Sequence, residues 1–406
     1  MPLHNPQSQK GILYMAFNQD YTCISLADYK GIKIYSIDTH KICYQADVGA
    51  VSIAEMLFCT SLMAFVGAGE QPALTPRKLT LMNTTAQNIV QDLNFPSSVL
   101  AVRMNRKRLV AVLEKRTYVH ALETLELLQT LETVPNPKGR CALTLCSDPC
   151  LLALPSSTTT GSLRVYDTLV DGGNVICEIN AHKTPAAVLA WNAEGTLLAS
   201  ASQKGTILRV HRLPQANKAW SFRRGSTSAA IHSLAFSPPG VQPPLLCAAS
   251  GHGTVHLFRL EEPDRHPGIV AASGLLAAVM PPAVADVMEP PRCIATVRLP
   301  CQGVPALCAL QSTSPGTSTP TSGRDGPFAG SARASPDLSS SEDSGLGGSY
   351  RSLSGSMTRS DAVKLVVATA EGLLYEYQVS GLRGPAAPAC TLDGESYLLG
   401  RTEQAL

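Results

Sequence analysis

The sequence predicts an all-β fold: a seven-bladed β-propeller with a long apolar loop in blade six and a disordered insert in blade seven. Three observations predict it. One unit recurs, made of an alternating apolar stretch, a turn, a strand of small residues and a strand led by glycine. The leading glycines include Gly161, Gly205 and Gly253, spaced 44 and 48 residues apart, which is the period of a four-stranded blade. Helical periodicity is scarce, while Gly, Pro, Asn and Asp punctuate short runs rich in Val, Leu, Ile and Tyr.

In chain order, residues 31–37, 78–83 and 117–122 are the Gly-led or equivalent strands of the first three copies. Gly161 opens the fourth. The clearest copy, 187–211, reads AVLAWNAEGTLLASASQKGTILRVH, and 231–258 repeats its order with HSLAFSPPG, LLCAAS and GTVHLF. Residues 372–379 complete seven. The Trp-Asp pair of ordinary WD repeats is absent, and Val165-Tyr166-Asp167 is its nearest echo. A closed ring of such blades buries the sheet faces and leaves few strand edges exposed. The propeller is expected to occupy residues 10–380 as a single domain. Residues 262–291 interrupt blade six, 311–360 form a Ser/Gly/Pro-rich insert too poor in apolar residues to fold, and 381–406 supply a closing segment or a tail. Ser352 and Ser360 in the insert are open to phosphorylation, although a tolerated loop insertion is the plainer reading.

Bulk properties narrow the function. The chain has 406 residues, 44% of them hydrophobic, and a formal charge of +2. That near-neutral balance argues against broad nucleic-acid binding, so any anion recognition must be local. The opening residues show no basic n-region followed by an apolar h-region, so no signal peptide is expected, and no apolar run is long enough to span a bilayer. The 12 cysteines are scattered through strand-like segments. Cys141, Cys146 and Cys150 cluster without a CxxC pair, which argues against zinc and for reduced thiols of a cytoplasmic protein. GxSxG, P-loop, HExxH and GxGxxG motifs are absent, and His252 and His256, four apart around a strand, make no helical metal pair. The expectation is a non-enzyme with no cofactor and no metal.

The most informative residues are Phe222-Arg223-Arg224-Gly225, set between two blades. Adjacent arginines on one turn can point apart and serve two anionic pockets, because the guanidinium fork pairs phosphate oxygens bidentately and keeps its charge. With this turn, the segments Phe17-Asn18-Gln19-Asp20, Arg103-Met104-Asn105-Arg106, Leu163-Arg164-Val165-Tyr166-Asp167, Ala181-His182-Lys183, Ala201-Ser202-Gln203-Lys204-Gly205-Thr206 and Ala295-Thr296-Val297-Arg298-Leu299-Pro300 carry a resemblance. Over roughly residues 10–310 and 362–380 the chain resembles the PROPPIN family, the WIPI-type autophagy propellers that bind phosphoinositides. The resemblance implies two shallow headgroup pockets on the rim of blades five and six. The first would be lined by His182, Ser200, Ser202, Thr206, Arg209 and Arg223, the second by Arg224, Ser250, Thr254 and His256. The implied ligands are phosphatidylinositol 3-phosphate and phosphatidylinositol 3,5-bisphosphate in membranes.

The residue chemistry agrees with that implication. Ser200 and Ser202 share a strand face, as do Thr254 and His256. Hydroxyls beside an arginine make a wet phosphate cradle, each charge-assisted hydrogen bond giving roughly 1.5–3 kcal/mol. Two pockets on one rim engage two lipids of one membrane, raising apparent affinity by about 10²–10⁴. Serines at strand ends also satisfy backbone groups, and histidines at such places also serve as ordinary surface residues, so these roles rest on the resemblance.

Residues 268–280 are apolar and too short to cross a bilayer as a helix, yet can lie in its interface. The family carries a membrane-inserting loop there, with Ile269, Leu275, Leu276, Val279 and Met280 as the expected apolar face. The loop lacks interfacial Trp, Phe and Lys, and the alternative is that it folds back onto the propeller. Arg103, Arg106, Lys107 and Arg108 form the densest basic cluster, placed between blades two and three. There the family recruits autophagy proteins; an acidic-peptide groove and a strand edge guarded by charge remain alternatives. The expected whole is a monomeric effector and scaffold of autophagosome formation, cytoplasmic and peripheral on preautophagosomal, endosomal or vacuolar/lysosomal membranes. The alternative is a soluble WD-repeat-like scaffold that binds peptides only.

Overall fold

Polarity grades outward through each repeat, and the sheets form accordingly. In the sixth copy the second strand, Leu245–Ser250, is buried at every position, and its Leu, Cys, Ala and Ser are small enough for sheets to close on both faces. At the rim of the first copy Lys41–Ala46 alternates exposed and half-buried, the two-residue period of a strand with one wet face. The computed structural model describes residues 2–4, 11–170, 172–261, 290–301, 303–313, 363–384 and 387–399.

Among the described residues these strands make seven antiparallel sheets: 12–46, 51–94, 101–132, 142–182, 186–223, 231–298 and 306–397, blades one to seven. The Gly-led or equivalent strands are the third strand of every blade, for example Lys78–Asn83, Ile207–Arg212 and Thr254–Arg259. Gly205 sits in the turn ahead of its strand instead of within it, because its φ of +63° departs from ladder geometry. Side-chain seams join the blades, such as Trp191 Nε1 donating to Ala142 O at 3.0 Å between blades five and four. Gln19 ties three blades: its Nε2 donates to Met56 O (2.8 Å) and Met104 O (3.1 Å), and its Oε1 accepts from Phe58 N (2.6 Å).

The ring closes without a shared blade. All four strands of blade seven come from one end of the chain, Ala389–Tyr397 being the outermost, so residues 381–406 contribute a full strand. Leu3–His4 instead extends the inner side of blade one. Ile12, Leu307 and Leu374, each wholly buried, pack across this seam, and Gln311 Nε2 donates to Tyr21 O at 2.6 Å. Gln311 is therefore a strand residue, and Ala306–Ser312 runs one residue beyond it. Ser312 pairs with Val363, so the insert leaves and returns at neighbouring positions of one hairpin. The expectation of disorder falls on residues 314–362, outside the described residues. Among the described residues no helix is long and apolar enough to cross a membrane.

Candidate functional site on blades five and six

The arginine turn is built from its neighbours. The outer strand of blade five, Asn217–Arg223, carries Phe222 next to its end, and the buried Phe222 ring lies 5.0 Å from that of Phe258 in blade six. Arg223 N donates to Pro291 O at 2.9 Å, tying the turn to the returning end of the blade-six loop. Arg224 is buried, with N donating to Thr206 O (2.9 Å), Nε to Gly205 O (2.9 Å) and Nη2 to Thr227 O (2.5 Å). Gly205 permits this: a Cβ there would lie 1.9 Å from Ala229 O.

A surface recess of about 600 Å³ opens between blade four and blade five. Its walls include His182, Ser202, Thr206 and Arg209 of the residues named above, and also Lys183, Lys204, Lys218, Pro290 and Pro291. Arg209 Nη1 donates to Ala181 O (2.6 Å) and reaches His182 Nδ1 at 3.2 Å. That leaves His182 Nε2 as donor to Ser200 Oγ at 3.0 Å. One expectation needs correction. Ser200 is wholly buried behind His182, so it holds the imidazole instead of lining the recess. Arg223 is half-buried, and its backbone N–H holds Pro291, which borders the recess. Burial first, and the charge of Arg209 second, push the His182 pKa down to about 3.

On blade six, Ser250 Oγ lies 3.0 Å from Thr254 Oγ1, and Thr254 Oγ1 lies 3.0 Å from His256 Nε2. Thr296 Oγ1, on the outer strand, closes the chain at 3.2 Å from His256 Nδ1. Burial, then Arg224 and His252, push the His256 pKa down to about 4. Arg224 thus acts on this cluster by its charge while its guanidinium is bonded to the Gly205 and Thr227 carbonyls. Sequence reasoning missed Lys183, Lys204, Lys218 and Thr296 as site residues, and Arg298, exposed and paired with Thr254 across the ladder. Their signal was present, since Lys183, Lys204, Thr296 and Arg298 stand inside the quoted segments. Neutral imidazoles, hydroxyl dipoles and fixed guanidiniums suit the binding of phosphate oxygens. Neither imidazole titrates near neutral pH, where an acid–base catalyst would.

The basic cluster divides. Arg103 is not on a partner surface: it is enclosed and ion-paired with Glu55 Oε1 at 2.5 Å, which also accepts from Tyr14 Oη at 2.7 Å. As a strand residue of Ala101–Met104 it faces inward, whereas Arg106 and Lys107 occupy the following turn and are exposed. The cluster therefore lies within blade three, not between two blades. Arg106 sits over the Phe58 ring, 4.5 Å from its centroid, and Arg108 Nε donates to Thr168 O of blade four at 2.8 Å. Ile269, Leu275, Leu276, Val279 and Met280 lie outside the described residues.

Fold and site together define a class of protein: a seven-bladed propeller whose paired arginines stand on a turn between two clusters of hydroxyls and imidazoles. The chain belongs to the PROPPIN family, whose family model matches residues 12–316. It is 41% identical to autophagy-related protein 18b of Arabidopsis thaliana, over 69% of this chain and 75% of that protein. It is 38% identical to autophagy-related protein 18 of Dictyostelium discoideum, over 74% of this chain and 84% of that protein. Among solved structures, Kluyveromyces lactis Hsv2 superposes with a TM-score of 0.66 at 17% identity, covering 95% of this chain and 98% of that one. A complex of KlAtg21 with the coiled coil of AgAtg16 superposes with a TM-score of 0.64 at 21% identity, covering 96% and 99%.

Proposed function

We propose that this chain is a phosphoinositide-binding peripheral membrane effector and scaffold in autophagy. One observation carries the reading: Arg223, ending the outer strand of blade five, and Arg224, just after it, stand between a recess bordered by blades four and five and a hydroxyl–imidazole chain on blade six. Phosphatidylinositol 3-phosphate or phosphatidylinositol 3,5-bisphosphate fills the two sites, and avidity on one membrane multiplies their modest individual affinities. The apolar segment 268–280 lies between the third and fourth strands of blade six, and its returning end, Pro290–Pro291, walls the first recess. In this reading it adds residence time at the membrane while the recesses set lipid identity. Arg106, Lys107 and Arg108 offer an acidic segment of an autophagy protein a docking surface, and the KlAtg21–AgAtg16 complex supports a partner role for such propellers.

Liposome flotation tests the proposal. Wild type is expected to float only with vesicles containing either phosphorylated lipid, and the folded double variant Arg223→Thr/Arg224→Thr to stay in solution. A folded wild type that ignores both lipids would refute the membrane reading in favour of a scaffold that binds peptides. Deleting 268–280 is expected to weaken flotation with lipid preference retained; a changed preference would refute the division of labour.

A further inference from the structure

Blade seven meets blade six through a sulfur contact. Cys247, in the wholly buried strand Leu245–Ser250, and Cys308, in the first strand of blade seven, are 0% and 1% exposed. Both are free thiols, and Cys247 Sγ donates to Cys308 Sγ at 3.4 Å. Ser233, on the first strand of blade six, holds Cys308 in register. Its hydroxyl accepts from Cys308 N at 3.3 Å and donates to Cys308 O at 3.4 Å. A disulfide needs its sulfurs at about 2.05 Å, so the pair has little more than an ångström to close.

One of the two sulfurs has a route to small molecules. The first strands of all seven blades wall an axial cavity of about 110 Å³, to which blade seven contributes Cys308. A cavity needs only about 10–15 Å³ to hold a water, so a molecule of two oxygen atoms fits. Cys247 lies behind Cys308, on the second strand of blade six. The thiols are also unequal. Burial pushes the Cys247 pKa well up. Burial disfavours the Cys308 thiolate too, but hydrogen bonds from Cys247 and Ser233 outweigh it and hold that pKa below its ordinary value. The thiol that meets the cavity is the better nucleophile, and its neighbour stands ready to resolve it.

We propose that Cys247 and Cys308 form an oxidation site, in which a peroxide entering the axial cavity converts the pair into a reversible disulfide that fastens blade seven to blade six. The Cys308 thiolate attacks one peroxide oxygen. An S–O bond forms, the O–O bond breaks, and the departing hydroxide takes up the thiol proton as water. Cys247 then attacks the Cys308 sulfur. The S–S bond forms, the S–O bond breaks, and the hydroxyl leaves with the Cys247 proton as a second water. The two thiols lose two electrons and the peroxide gains them, and a dithiol reductant reverses the bond. The ring shares no blade at its closure, so blade seven depends on its two neighbours, and a covalent bond to one of them resists its detachment. Cys247 and Ala249 pack on the blade-seven side of their strand, whereas Ala248 packs towards blade five. Ser250 shares the face of Ala248, and their ladder partners are Thr254 and His256, so the bond closes on the face opposite the hydroxyl–imidazole chain.

Peroxide treatment of the full chain tests the proposal, followed by alkylation in denaturant and mass-spectrometric peptide mapping without reductant. A peptide pair linking Cys247 to Cys308 is expected to appear with hydrogen peroxide and to vanish with dithiothreitol. In Cys247→Ala the resolving thiol is gone, and Cys308 should accumulate as sulfinic or sulfonic acid. The cysteines are 61 residues apart. Closing a loop of that length should lower the unfolding equilibrium constant of oxidised wild type in urea by a factor on the order of 10²–10³. Equally treated Cys247→Ala should show no such gain. The wild-type map decides the linkage without any variant, so a variant that fails to fold does not blunt the test. Recovery of Cys247 and Cys308 as alkylated thiols while exposed Cys43 and Cys59 oxidise overturns the proposal. Linkage of either residue to another cysteine overturns it as well, and so does a Cys247–Cys308 bond that leaves urea unfolding unchanged.

Discussion

Replacing Gly205 by alanine probes the link between the propeller turn and the arginine site. Gly205 lies at φ +63°, where an alanine costs roughly 1–2 kcal/mol. Its new Cβ would stand 1.9 Å from Ala229 O and 3.1 Å from Ala229 C, backbone atoms that cannot rotate away. Segment 228–231 must retreat by more than an ångström, straining Ala229 N to Lys204 O (3.2 Å) and Ser228 Oγ to Lys204 O (3.0 Å). At about 1 kcal/mol for each bond, the total is about 3–4 kcal/mol. The internal control is Gly225→Ala, three residues from Ser228 in the same connection, where a Cβ meets nothing within 4 Å and the change should stay within about 0.5 kcal/mol. Equilibrium urea unfolding, with m-values compared, measures both. Headgroup binding should fall with Gly205→Ala alone, because the Gly205 carbonyl holds Arg224 Nε at 2.9 Å. Equal stabilities for the two variants, or a loss below about 1 kcal/mol for Gly205→Ala, would refute the account of this turn.

Other outcomes follow from the same structure. His182 and His256 have pKa values of about 3 and about 4, below the ordinary 6.5, so the folded state binds fewer protons than the unfolded chain between those limits. Their stabilisation is complete above pH 6.5 and is lost as pH falls towards 4, roughly 1.4 kcal/mol per imidazole by one unit below 6.5. Unfolding midpoints at pH 7.5, 6.5 and 5.5 should decline in wild type and decline less in His256→Gln, and a flat wild-type profile would contradict the burial argument. Glu55→Ala strands the enclosed Arg103 guanidinium and should cost about 3–5 kcal/mol by urea unfolding, far more than the same change at exposed Glu132. Arg106→Glu combined with Lys107→Glu should abolish capture of an acidic partner peptide in a pull-down while vesicle flotation stays at the wild-type level; loss of both would place the cluster at the membrane instead.

Much of the architecture is written locally. The side chains of Asn18 and Asn192 each hold the turn after a first strand, accepting from Cys23 N at 2.9 Å and Leu197 N at 2.8 Å, and both stand in segments that mark the repeat. Glycine-led third strands, buried second strands and alternating outer strands need only neighbours a few residues away, so their period survives in a single sequence. The arginine turn was legible as a motif between two repeats, whereas the roles expected of His182 and Ser202 came only from the family resemblance.

What the sequence by itself determined is therefore the strand period, the number of blades, the places where foreign segments enter, and the position of paired arginines between two blades. Tertiary structure decided which polar residues meet. Arg103 and Arg106 are three apart in one basic run, yet one pairs with Glu55 inside and the other rests on the Phe58 ring at the surface. Ser200 turned from a recess wall into the support of His182, and Thr296 joined His256 only because the outer strand of blade six returns beside its third. Strand periodicity is fixed by bonds between sequence neighbours, whereas these juxtapositions depend on how sheets pack around a closed ring, and no local pattern encodes that distance.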